Sequence, residues 1–124
     1  MKLPRIINNI KWSTALIMLL YCSCVSKRIN NDWSRDKKGC LQLRNRDLAN
    51  KLIKENGLMN GSADSFLKVF GKPDTVNQKD GAESLVYYMK SMCEDNKPVK
   101  DSDKCWGVFY FESRRLTSYN FPCE

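Results

Sequence analysis

Six cysteines and no histidine set the chemistry open to this 124-residue chain. Thiols can pair with one another, hold a metal or carry a covalent group, whereas the commonest general base is missing. Cys22 and Cys24 sit together near the start, and Cys40, Cys93, Cys105 and Cys123 are spread over the rest. An even set of four in a small domain of an oxidising compartment points to two disulfides. Three pairings are open. The one expected joins Cys93 to Cys105, closing the loop of a hairpin, and Cys40 to Cys123, tying the chain ends. A loop of the first length contributes roughly 3 kcal/mol in the chain-entropy model. Zinc is the rival for these thiols, but paired Cys-x-x-Cys ligands are lacking, so no metal or cofactor is assigned. Catalysis finds little to work with. The chain has no Gly-x-Ser-x-Gly and no Walker loop, and Asp74, Asp80, Glu83 and Glu112 are scattered near turns. Ser113 and Ser118 have only lysine or carboxylate to activate them. The reading is a binding protein without an enzymatic site.

The first two cysteines close a distinct segment. Met1 to Lys11 carries Lys2, Arg5 and Lys11 with no acid, and Trp12 to Tyr21 follows as an apolar run. This is the layout of an export signal, and the run is far short of the roughly 20 apolar residues of a permanent membrane span. Ser23 suits a peptidase that takes small side chains before the cut, and LLYCSC resembles a bacterial lipobox. Residues 1–23 are therefore expected to be a lipoprotein signal peptide, with Cys24 carrying palmitate or a similar acyl group as the mature N-terminus. A buried or disulfide-bonded Cys22 and Cys24 pair, or an uncleaved anchor, are the other readings.

Without the leader, 18 basic residues face 14 acids, so the formal +7 overstates the charge and nucleic acid is not indicated. Lys27, Arg28, Arg35, Lys37 and Lys38 follow the cut, in a polar stretch whose one aromatic residue is Trp33. Residues 24–39 read as a solvated tether, with anionic lipid headgroups as a second reading of its charge.

Residues 40–124 carry the signals of one domain. From the candidate cap Asn45, a stripe of Leu48, Ala49, Leu52 and Ile53 runs to Asn56 and Gly57. A second helix begins at Ser62, buries Ala63, Phe66, Leu67 and Phe70, and stops at Gly71 and Pro73. Beyond Pro73 the pattern alternates. Asp80 and Gly81 mark a turn, although too few apolar residues precede it to make a full strand. Ser84 to Met92 is a strand with Leu85, Tyr87 and Met89 on one face, Cys93 to Lys104 a polar loop, and Trp106 to Glu112 and Arg115 to Phe121 two further strands. The expected fold is α+β, two helices packed on a three-stranded antiparallel sheet in the order ααβββ.

The strands hold more aromatics than one covered face can absorb. Some of Tyr87, Tyr88, Trp106, Tyr110 and Tyr119 are therefore left on the outer face, with Tyr87, Tyr110 and Tyr119 the candidates for contact with a partner. LKVFGKPD, then VYY, then VFYFESRRLTS resemble the SmpA/OmlA, or BamE-like, family of small outer-membrane lipoproteins over about Leu48 to Phe121. The resemblance implies two helices on three strands, as in domains of the β-lactamase-inhibitor-protein type. It also implies an outer-membrane lipoprotein facing the periplasm, an accessory or scaffold of the cell envelope, with outer-membrane protein assembly as the narrower role. The other branch of that fold implies an inhibitor or immunity-type protein that caps an enzyme with its exposed sheet. No binding residue of the family is carried across.

Overall fold

A computed structural model describes residues 31–124; the leader at 1–23 and the lipidation site Cys24 lie outside the described residues. The two helices expected from the sequence form where their caps place them. Helix α2 (Arg46–Glu55) starts at Asn45, whose side chain accepts the Leu48 amide at 2.8 Å. Helix α3 (Ala63–Phe70) starts at Ser62, which accepts the Ser65 amide at 3.1 Å. Gly71, at φ 76°, ends it in a conformation that costs a residue with a side chain far more.

An additional helix precedes both. Helix α1 (Asp32–Arg35) is closed by a reciprocal capping box between Asn31 and Ser34, and a 3₁₀ turn follows at Lys37–Gly39. The tether expected at 24–39 is therefore wrong from Asn31 onward. Trp33 is fully buried, with its ring edge-on to Phe70, Tyr87 and Phe109 at 5.0, 5.8 and 5.9 Å between centroids. A lone indole in a polar stretch has no periodicity to announce its burial. The receiving site is also hidden, because it is an absence: a Cβ on Gly107 would stand 3.2 Å from the Trp33 ring.

The strands are β1 (Thr75–Lys79), β2 (Ala82–Lys90), β3 (Cys93–Glu94), β4 (Lys97–Pro98), β5 (Cys105–Glu112) and β6 (Arg115–Asn120). Four of them form an antiparallel sheet in the order β1-β2-β5-β6, and β3 and β4 make a separate hairpin within the loop expected to be irregular. The fold is α+β, but the three-stranded ααβββ order is corrected to three helices and a four-stranded sheet among the described residues. The strand missed is β1, whose five residues are all exposed. Its Asp80-Gly81 turn, with φ 51° and 80°, is a two-residue hairpin connection and outweighs the lack of apolar residues. Ser113 and Arg114 also take positive φ, 48° and 60°, to join β5 to β6. Part of that cost is offset where the Arg114 carbonyl accepts the Ala63 amide at 2.9 Å, tying the hairpin to the start of α3.

Four cysteines form two disulfides, in a pairing other than the one expected: Cys40 with Cys93, and Cys105 with Cys123. The reason lies at both ends of the domain. Gly39 lies flat against β2, where a Cβ would meet the Tyr88 carbonyl oxygen at 2.8 Å, and its carbonyl accepts the Ser91 amide at 3.3 Å. Cys40 is thereby delivered beside Cys93. At the C-terminus the Trp106 amide donates to Pro122 at 2.9 Å, and Lys104 and Glu124 exchange two backbone bonds. This lays Cys123 against Cys105. With partners 53 and 18 positions apart in sequence, chain entropy assigns the bridges about 4 and about 3 kcal/mol.

Candidate binding surface

Strict alternation along β2 and β5 sorts their side chains onto two faces. Leu85, Tyr87 and Met89 on β2, with Phe109 and Phe111 on β5, join Phe66, Phe70 and Trp33 in the core. Between them, Val86, Tyr88, Trp106, Val108 and Tyr110 point the other way and belong to no part of that core. The antiparallel register sets Val86 opposite Val108 and Tyr88 opposite Trp106, and Tyr110 lies between Ser84 and Ser118. Cross-strand aromatic and β-branched pairs of this kind shield one another. The row is accordingly half-buried, except for Tyr110 at 39% exposure. The five side chains of the row are aliphatic, phenolic or indole groups. The row can bury apolar area and offer phenol and indole hydrogen bonds at its rim, which is binding chemistry.

The three tyrosines expected on an open face are not brought together. Tyr110 lies on the outer face, as expected of a contact residue. Tyr87 does not: it is fully buried and donates its hydroxyl to the Gly71 carbonyl at 2.8 Å. It follows Val86 in the alternation and so must face the helices. Tyr119 also lies on the helix side, stacked on Phe109 at 5.7 Å, with its hydroxyl bonded to Asn50 at 2.9 Å. Tyr88 and Trp106 take their place beside Tyr110. Their signal was their position one residue out of phase with the core-facing set on the same strand.

Burial pushes the Tyr87 phenol far above its usual value, the Arg44 guanidinium pulls the other way, and the Asp74 carboxylate adds to the rise. In the unfolded chain this phenol ionises near about pH 10. Above that pH the unfolded state binds fewer protons than the folded one. The stability present below it is thus lost as pH climbs. Tyr87→Phe cannot ionise. Between about pH 8 and about pH 11 its urea midpoint should fall less than that of the wild type, by the equivalent of about 1 kcal/mol. Equal losses in the two proteins would assign the alkaline limb to other groups.

Among the described residues no group of three or more histidine, cysteine or acidic side chains could hold a metal ion. Nor, among them, is any helix long and apolar enough to cross a membrane. Compared with known proteins, the chain matches no family model, no curated protein and no solved structure.

Proposed function

We propose that this chain is a lipid-anchored accessory or scaffold protein of the bacterial cell envelope, held by an acylated Cys24 and acting by protein–protein binding. The observation that carries the reading is the row of Val86, Tyr88, Trp106, Val108 and Tyr110, which folding leaves outside the core. Aromatic rows of this kind supply the anchors of protein interfaces. The leader with its lipobox-like LLYCSC supports the anchor, and the two disulfides fit an oxidising compartment. The likeness of LKVFGKPD and VFYFESRRLTS to SmpA/OmlA-type lipoproteins supports a role in outer-membrane protein assembly. One acyl chain binds membranes marginally, and several hold a protein stably.

A photo-crosslinking residue at Tyr110 of the full chain, in the native membrane, tests the surface. It should capture a discrete envelope protein that the same probe at Lys97 does not. Capture of a secreted hydrolase would replace the scaffold reading with an inhibitor or immunity role. Palmitate labelling tests the anchor: it should be present in the wild type and absent from Cys24→Ser. An unlabelled wild type would remove the anchor.

A further inference from the structure

The helix side of the molecule bears a second feature, which needs neither the anchor nor the outer sheet face. Lys37, Lys38, Lys68 and Lys72 line one cleft of ≈ 880 Å³ together with Leu67 and Pro73. The lysines arrive from separate places. Lys37 and Lys38 sit in the 3₁₀ turn after α1, Lys68 is in the last turn of α3, and Lys72 lies just beyond the Gly71 that ends α3. All four are exposed, and among the described residues none makes an ion pair.

The nearby acids are engaged elsewhere. Asp74 is paired with Arg44 at 3.0 Å. Asp36 is buried and accepts the amides of Leu41, Leu43 and Arg44 at 2.8, 2.8 and 3.1 Å. Asp32 is bonded to Arg35. The cleft therefore has a positive rim that nothing local neutralises, over half-buried Leu67 and Pro73.

Its place in the sheet narrows what fits. Strand β1 accompanies β2 only as far as the Thr75 to Val86 pair. Beyond it the Asp74 carboxylate takes the Tyr88 amide at 2.9 Å, and the turn bearing Gly39 lies along the rest of β2. Lys37 and Lys38 come from one of these neighbours and Pro73 and Asp74 from the other. The cleft thus lies beside the edge of β2 that these two neighbours cover, so a partner segment meets it through side chains rather than by adding a strand. A flat lipid surface would reach the rim lysines but not the floor.

We propose that this cleft receives a short, extended, acidic segment of a protein partner. Its carboxylates meet Lys37, Lys38, Lys68 and Lys72, and an apolar side chain between them covers Leu67 and Pro73. The attraction is between exposed charges and so weakens with salt.

The test is fluorescence anisotropy of a dye-labelled peptide of three Glu-Asp-Leu repeats, titrated with the protein as isolated from its cell. Binding should be at least about tenfold tighter than for a Gln-Asn-Leu peptide of the same length. It should weaken about tenfold in K68E/K72E and stay within about twofold in K97E/K100E, which alters exposed lysines elsewhere. Equal binding of the two peptides overturns the proposal. So does unchanged binding by K68E/K72E with its circular dichroism intact. Displacement of the peptide by millimolar inorganic phosphate reassigns the cleft to small anions. Lysine-dependent binding of phosphatidylglycerol vesicles without binding of the peptide reassigns it to lipid.

Discussion

Trp33→Ala should destabilise the domain by about 3–5 kcal/mol, the range for deleting a large buried aromatic side chain. Such a loss is a large fraction of the whole stability of a domain this size, which is roughly 5–15 kcal/mol. The indole is fully buried and touches three aromatic rings from α3, β2 and β5, and the Arg44 guanidinium lies 5.5 Å from its centroid. The facing position on β5 is Gly107, which has no side chain to fill the space left behind. The midpoint of thermal unfolding should fall by about 12–40 °C, at roughly 4–8 °C per kcal/mol for a small domain. Trp106→Ala is the control. That indole is half-buried on the outer face, so its loss should cost about 1 kcal/mol. If Trp33→Ala stays within about 0.5 kcal/mol of wild type, residues before 40 are a tether after all.

The contrast between these two tryptophans shows what could be read from the chain alone. Helices α2 and α3 were legible to their caps, since Asn45, Ser62 and Gly71 act locally and the stripes repeat within three or four residues. Strands β2, β5 and β6 are legible from their runs of β-forming residues, and for β2 the alternation also separates the two faces. What failed was long-range. Trp33 reaches its site across the sequence, and the vacancy that receives it is made by Gly107 on another element. Disulfide pairing failed because it depends on where Gly39 and residues 122–124 are laid against the sheet, and no spacing encodes that. The candidate surface was half legible. Tyr110 is exposed on the outer face and Tyr87 is buried on the inner one: the number of aromatics implies that some lie outside, whereas parity along the strand decides which.

The contacts of the FGKPD segment are those of a structural joint. Asp74 lies where α3 hands over to β1, and one of its oxygens binds both Arg44 at 3.0 Å and the Tyr88 amide at 2.9 Å. Arg44, almost fully buried, spends the rest of its guanidinium on the Trp33 carbonyl at 2.9 Å and the Tyr88 carbonyl at 3.0 Å. It also lies 5.3 Å from the Tyr87 ring. One side chain thus binds α1, the start of β1 and the end of β2. Arg44→Met keeps the bulk of the stem but strands Asp74 and two carbonyls, and should cost about 3–5 kcal/mol. Asp74→Asn removes the charge while keeping an oxygen for the Tyr88 amide, so its cost should be smaller, about 1–2 kcal/mol. The double variant has no uncompensated charge left. It should be more stable than the sum of the single losses predicts by about 1–3 kcal/mol, measured from urea midpoints at constant m. Strict additivity would mean that Arg44 acts through its carbonyl bonds and aromatic packing alone. The conserved charge of Arg44→Lys should recover only part of the loss, because an ammonium cannot span three acceptors set by a planar fork.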